Sequence, residues 1–513
     1  MGSGSQGQAA ANNGRGDADA DTGGAPTHAA HFVFVPLMAQ GHLIPAVDTA
    51  LLLATHGAAC TVVGTPATAA RVRPTVESAR RSGLRVRLAE FPLDYAAVGL
   101  PDGADNVDNV PLEATRRYFD AVALLRAPIE RYLRARAPYP TCVVSDFCQP
   151  WATELAASLG VPRLSFFSMC AFCLLCQHNV ERYDAYEGVA GDDEPVVVPG
   201  LEERRVVVTR AQAPGFFRES DEWKDFADYV ERARAEADGV VMNNFAEMEP
   251  EYVAGYAAAR KMKVWTVGPV SLYHQQQRAA TLAARGNAAA AIDADECLRW
   301  LDGKEPSSVV YVSFGSIAQA SGKQAVELGL GLEASGQPFV WVLRNAHEYD
   351  DTARAFLDEL EARVAGRGTG MLIRGWAPQV LILSHAAVGG FVTHCGWNST
   401  LEAITAGLPV VTWPHFSDQF LNEKMAVEVL GIGVSVGVTE RVMFQTVEKE
   451  IVVGRDVVEK AVRSLMGGGE EAEERRRRAR ELADKARAAM QEGGSSHNNL
   501  MDLVGRFKAT TAT

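Results

Sequence analysis

Short runs of uninterrupted apolar residues alternate with longer helical stretches through most of this chain, and that alternation limits its fold more than any other feature. Residues 31–35, "HFVFV", make a strand with no polar face. Apolar positions then recur at helical spacing over 43–56, closed by Gly57, and 59–64 returns to strand. The series continues with a helix predicted over 112–136, the strand "TCVVSD", a helix after Gln149 and the strand "RLSFF". Strands without a polar face must be covered on both sides, and intervening helices supply the covers of a parallel sheet.

The pattern lapses after "VWTVGPVSLYH" (264–274), where "QQQRAATLAARGNAAAA" carries no strand signal. It then restarts with "SSVVYVSF", a helix from Gln324 to Ser335, "PFVWVLR", a helix near 352–364, "MLIRG", "GGFVTH" and "PVVTW". A chain of 513 residues also exceeds what one core usually holds. The expected organisation is an α/β protein of two doubly wound, Rossmann-like domains facing across a cleft. Residues 1–30 form a disordered tail, 31–274 the first domain, 275–295 a linker and 296–490 the second domain; a helix within 491–513 packs back on the first. Ligands of open α/β sheets bind beyond the carboxyl ends of the strands, so the cleft is the expected site.

Charge and composition exclude several partners. A net charge of −14 repels phosphate backbones and argues against nucleic acid. The run "RRRR" (475–478) follows Glu471, Glu473 and Glu474 at helix-pairing spacings and reads as a solvated helix face. No apolar run approaches the roughly 18 residues of a membrane span, and the Gly-, Ala- and Asp-rich start lacks a signal-peptide core, so a cytoplasmic monomer is expected. Eight scattered cysteines then stay reduced. In "CAFCLLC" (170–176) no further ligand follows at zinc spacing, which favours buried helix packing over a metal.

The densest cluster of chemistry-bearing residues is "FVTHCGWNSTLEA" (391–403), which ends a strand and opens a helix. Amides at a helix start point outward and stabilise an anion such as a phosphate. His394 adds a donor from the strand end, and Asn398 and Ser399 add side-chain donors; an ordinary Asn/Ser cap is the plainer explanation of "WNST" taken alone. Trp376, in "WAPQV", ends another strand, where an indole can stack on a base or simply fill the core. Glu402 lies one turn into the phosphate helix, placed to accept both hydroxyls of a ribose. Asp418 and Gln419 follow the strand "PVVTW" and suit a polyhydroxylated group, unless Asp418 only starts a helix.

Taken together, Trp376 to Phe420 resembles the donor-sugar signature of the plant family 1 uridine-diphosphate glycosyltransferases. "QGHLIP", "YVSFGS", "CLRWLD" and "GGSSHNNL" extend the resemblance from about residue 31 to the C-terminus. It implies the GT-B fold with a sugar nucleotide in the second domain. By this resemblance Trp376 stacks on uracil with Ala377 and Gln379 nearby, and Glu402 holds the ribose. His394, Asn398, Ser399 and Ser316 take the diphosphate, while Trp397, Asp418 and Gln419 face the sugar. Gln419 with Trp397 resembles the glucose-using members; His415 and Ser417 depart from the commoner pattern.

In the first domain His42 follows the first strand directly, and Asp146 ends another. Each has a local role open to it, as a helix cap. As a pair, the carboxylate would fix the imidazole tautomer and stabilise the imidazolium, and the resemblance assigns His42 as general base with Asp146 as its partner. The implied reaction is inverting transfer of glucose from UDP-glucose to a hydroxyl of a small lipophilic plant metabolite, a flavonoid or other phenolic being favoured, with no cofactor and no metal. The acceptor wall is expected from 166–178 and from "NVPLEATRRYF", which are rich in Phe, Met, Leu and Cys. A terpenoid, steroid or hormone acceptor is the alternative. A Rossmann oxidoreductase would need G-x-G-x-x-G after a strand, which neither "FVPLMAQGH" nor "VSFGSIAQ" supplies. A non-catalytic sugar-nucleotide binder would have no use for both His42 and Asp146.

Overall fold

The computed structural model describes residues 29–101, 103–107, 110–201, 204–212, 221–275, 294–315, 321–344, 346–442 and 452–508. Ser316, residues 1–28 of the expected tail and 276–293 of the expected linker lie outside them.

The first domain holds β1 (His31–Val35), β2 (Ala59–Gly64), β3 (Val86–Glu90), β4 (Cys142–Asp146) and β5 (Arg163–Phe167). A short antiparallel ribbon follows, β6 (Val196–Val197) with β7 (Val207–Val208), then β8 (Gly239–Met242) and β9 (Val264–Thr266). Apart from the ribbon they form one parallel sheet in the order β3-β2-β1-β4-β5-β8-β9. The second domain repeats the plan with β10 (Val309–Ser313), β11 (Phe339–Leu343), β12 (Gly370–Arg374), β13 (Val388–Thr393), β14 (Val410–Thr412) and β15 (Gly433–Ser435), ordered β12-β11-β10-β13-β14-β15 and again all parallel. Every residue of β1, β4, β10 and β13 is buried, as strands covered on both faces require.

The two cores are not separate. One continuous cluster of buried apolar side chains runs from Cys170, Phe172 and Cys176 of the first domain to Trp397, Leu421 and Met425 of the second. The helix Ser495–Arg506 returns to the first domain, where Leu500 and Leu503 join Phe32 and Trp265 in a second cluster. Asp502 Oδ2 there accepts from Trp265 Nε1 at 2.6 Å, and Ser496 Oγ donates to the Gly268 carbonyl at 2.6 Å.

Three local expectations change. The helix expected over 112–136 is broken into Thr115–Ala123 and Arg126–Arg134. Pro128 has no N–H for the carbonyl of Leu124 and its ring crowds that carbonyl, which favours a break just before it. The "RRRR" face is only half solvated. Arg475 and Arg476 are mostly covered and donate to the carbonyls of Ser464, Leu465 and Gly467 at 2.9–3.3 Å, capping the helix Arg455–Met466, while Arg477 and Arg478 stay on Glu474. Finally, the apolar face of Ala171–Arg182 is core rather than pocket wall. Phe172 and the three cysteines are fully buried, with Phe172 edge-on to Tyr252 at 5.0 Å.

Candidate active site at the interdomain cleft

The helix Gln40–Thr55 begins five residues past β1 and carries His42 in its first turn. Its Nδ1 lies 2.7 Å from Asp146 Oδ2, at the end of the adjacent strand β4. The other carboxylate oxygen accepts from the Cys148 amide at 3.0 Å, which pins the rotamer. Asp146 is 1% exposed and His42 28%, so the carboxylate is sealed while the imidazole keeps one open edge. With Nδ1 on the carboxylate, Nε2 carries the lone pair and is the atom able to take a proton. Phe147 stands 6.3 Å from the imidazole and stacks on Phe167 at 5.1 Å.

Across the cleft, β13 ends at Thr393 and the helix Trp397–Ala406 begins with Gly396 as its cap. Cys395 makes the turn between them at φ +64, its amide on Thr393 Oγ1 at 3.2 Å and its carbonyl held by Asn422 Nδ2 at 2.9 Å. The His394 ring is packed between two glycines. A Cβ on Gly315, which sits at φ +75, would come within 2.5 Å of it, and one on Gly396 within 2.4 Å. Its Nδ1 is buried with no hydrogen-bond partner among the described residues. Burial, with His415 nearby as a second cause, pushes its pKa down to about 3, so the imidazole is neutral at physiological pH. The helix start therefore offers amides and a neutral donor.

Gln379 opens the short helix Gln379–Leu383 after Trp376 and Ala377; its Nε2 donates to Ser399 Oγ at 3.1 Å and to Glu402 Oε2 at 2.8 Å. This ties the Glu402 carboxylate to the start of that helix; Trp376, nearby in sequence, has no partner for its Nε1 among the described residues. Asp418 is pushed up by burial, against which the Asn422 amide, 2.8 Å from Oδ2, and the charge of His42 act. Asp418 and His42 thus feel one another across the cleft. Gln419 spends its amide oxygen on the backbone N–H groups of His415 and Phe416, at 2.8 and 3.1 Å, leaving it a donor toward any sugar.

Two expected positions are placed differently. The Trp397 indole, expected at the sugar, is 3% exposed and donates to the Asn243 carbonyl of the first domain at 2.8 Å. The Asn398 side chain, expected on the diphosphate, bonds three first-domain groups: the Gly41 carbonyl, Ser168 Oγ at 2.5 Å and Asn243 Nδ2 at 3.2 Å. Both side chains lie on the first turn of a helix whose start faces the other domain, so docking claims them. Sequence reasoning missed their partners Ser168 and Asn243, each just past a strand, and also Asn422, inside a helix, which holds the Cys395 carbonyl and Asp418; none of the three carries a local signal.

Residues 29–272 match the family model described as the glycosyltransferase N-terminal domain, and residues 293–452 match that of UDP-glucoronosyl and UDP-glucosyl transferase. The chain is 46% identical to UDP-glycosyltransferase 73E1 of Stevia rebaudiana over 487 residues, 94% of this chain and 97% of that one. Among solved structures it resembles Glycyrrhiza uralensis UGT73P12, complexed with glycyrrhetinic acid 3-O-monoglucuronide, with a TM-score of 0.84, 35% identity and coverage of 93% of this chain and 96% of the other. It also resembles Phytolacca americana UGT2, complexed with UDP-2fluoro-glucose and pterostilbene, with a TM-score of 0.71, 27% identity and coverage of 93% and 100%. With two parallel Rossmann-like domains closing on a shared cleft, the chain belongs to the plant UDP-glycosyltransferases, enzymes of GT-B fold that transfer a hexosyl group.

Proposed function

We propose that the protein moves glucose from UDP-glucose to a hydroxyl of a small lipophilic plant metabolite, a flavonoid or another phenolic being favoured, and inverts the anomeric centre. The observation that carries this reading is the 2.7 Å contact of His42 Nδ1 with the sealed Asp146 carboxylate, opposite the helix start at Gly396. His42 Nε2 takes the acceptor's hydroxyl proton as the oxygen attacks the anomeric carbon. Asp146 holds the ring and stabilises the imidazolium. The anomeric C–O bond to the diphosphate breaks on the opposite face, and the charge that builds on the leaving group meets amides and His394, groups oriented before the reaction begins. No step calls for a metal, because these donors already meet that charge.

Glu402 and Trp376 are assigned to the ribose and uracil, and Asp418 and Gln419 to the sugar hydroxyls. Glucose is favoured by the Trp397 and Gln419 pair and by the UDP-2fluoro-glucose held by the Phytolacca americana relative. For the acceptor, the first domain offers a cavity of about 230 Å³ whose lining includes Phe119, Cys148, Trp151, Phe226, Arg116 and Asp225 but not His42. Aromatic walls suit a flat ring system. The pterostilbene complex of the same relative favours a phenol. The test is to incubate the protein with UDP-glucose and a mixed panel of phenolic and terpenoid acceptors, with mass spectrometry for products heavier by one hexose. A protein that binds UDP-glucose and glycosylates none of them would sink this reading.

A further inference from the structure

Pro45 lies inside the helix that carries His42. A proline has no N–H, so the carbonyl four residues earlier, that of Gly41, loses its helical donor. In this protein that carbonyl accepts instead from Asn398 Nδ2, a side chain of the other domain. The Asn398 oxygen meanwhile accepts from Ser168 Oγ and Asn243 Nδ2, the residues just past β5 and β8. One amide thus ties the carboxyl ends of three strands of the first sheet, β1, β5 and β8, to the first turn of the diphosphate helix. Gly41 is the residue before His42.

Resting on the function proposed above, we infer that Asn398 is a positioning residue for the general base: it fixes the helix turn bearing His42 relative to the donor helix, and so sets the distance from base to anomeric carbon. Trp397 reinforces the link through the Asn243 carbonyl. A neutral amide suits this place. It supplies a donor to a carbonyl and an acceptor to two donors at once, which an ionised Asp, having no donor, cannot do. Misplacement by about an ångström can cost on the order of a hundredfold in rate with little effect on binding.

The experiment compares wild type with Asn398→Ala, Ser168→Ala and Pro45→Ala, after thermal melts confirm folding. UDP dissociation constants come from calorimetry and kcat from saturating UDP-glucose. Asn398→Ala should lower kcat by about 10- to 100-fold while UDP affinity stays within about threefold. In a His42→Ala background the same change should cost almost nothing more, because it acts through His42. A tenfold or greater loss of UDP affinity with kcat intact would instead make Asn398 a diphosphate ligand and overturn the inference, as would a full additional loss in the His42→Ala background. Pro45→Ala returns a competing donor for the Gly41 carbonyl, and Ser168→Ala removes one bond while leaving the diphosphate site alone. Both should lower kcat by about three- to tenfold with UDP affinity unchanged, and no loss in either counts against the inference. Amide hydrogen exchange over residues 40–46 is independent of turnover. It should quicken in Asn398→Ala; unchanged exchange overturns the inference, whereas a wild type that makes no hexosylated product strikes only the functional reading.

Discussion

His42 and His394 stand just beyond strand ends of the two sheets, on opposite sides of one cleft, and their surroundings give them opposite chemistry. His42 keeps an open edge and rests on a carboxylate that is 1% exposed, so a positive charge on it is matched when it forms. His394 is wedged between Gly315 and Gly396, has His415 rather than a carboxylate nearby, and is held near pKa 3. The first is arranged to take a proton and the second to refuse one. What a histidine does at a strand end is decided by whether a carboxylate or an apolar wall lies behind it.

The largest test of that contrast is His42→Ala, which should lower turnover of hydroxyl acceptors by about 10²- to 10⁴-fold while UDP-glucose binding, measured by calorimetry, barely changes. Asp146→Asn, which keeps an acceptor for the Cys148 amide, should cost less, and the double variant should be little worse than His42→Ala alone. Loss of UDP-glucose binding in His42→Ala would make that histidine structural.

The opposite signature is expected on the other side. Gly315→Ala forces a methyl against the His394 ring and strains a backbone held at φ +75. UDP affinity should fall by about tenfold, ~1.4 kcal/mol, while kcat at saturating donor stays close to wild type. A kcat loss at unchanged affinity would erase the distinction between the two histidines.

Donor choice should show a comparable effect. Turnover with UDP-galactose is expected at least about tenfold below UDP-glucose, since an epimeric hydroxyl leaves fixed groups unpaired. Comparable rates would remove the glucose assignment. Gln419→His should slow both sugars, because the Gln419 oxygen also holds the turn at His415 and Phe416.

The two halves differed as much in legibility as in chemistry. The donor side was readable because its chemistry lies in one stretch from Trp376 to Gln419, three strand–helix turns whose local pattern already fixes where helix starts point. The dyad was readable only as two strand-end residues 104 positions apart, joined by the rule that parallel strands present their carboxyl ends together. Asn398 was misplaced because its partners, Gly41, Ser168 and Asn243, are set by how the domains dock, and no local pattern encodes that. The same limit moved Phe172 from pocket wall to core, beside Cys170, Cys173 and Cys176, whose buried packing was expected: an apolar helix face says that it is covered, never by what.

Buried titrating groups give a further contrast, read in stability against pH. His31 and His415 are pushed down to about 4 by burial and His394 to about 3, so between those values and about 6.5 the unfolded chain binds protons that the native one refuses. Stability should fall as pH drops through this window. Glu249 acts with the opposite sign. Burial raises it to about 7, against the amides of Ala171 and Phe172 and the Asn244 side chain, so between about 7 and 4.5 the native state holds a proton that the unfolded state has released. His178, lowered by burial, adds to the three histidines, while Asp418 and Glu423, raised by burial, add to Glu249. The histidines carry the larger shifts, and Tm should fall between pH 7 and pH 5, at about 2–4 °C per kcal/mol for domains of this size. Glu249→Gln should steepen that loss; a flat Tm over the interval would mean that the histidines are hydrated in solution.

The smallest expected effect concerns the diphosphate. If amides at Gly396 and a neutral His394 meet the charge of the leaving group, a divalent ion has nothing to add, and EDTA should change the rate by less than about twofold, against the ~1.4 kcal/mol that a tenfold change represents. Gly315→Ala sharpens this test, because displacing the His394 ring removes one of those donors. Magnesium or manganese added to that variant should restore little, since the turn at residues 393–396 has no carboxylate to anchor an ion beside the diphosphate. Activity lost in EDTA and recovered with either ion in the wild type would mean that the leaving group is neutralised by something other than the helix start, and the assignment of His394 would have to be withdrawn.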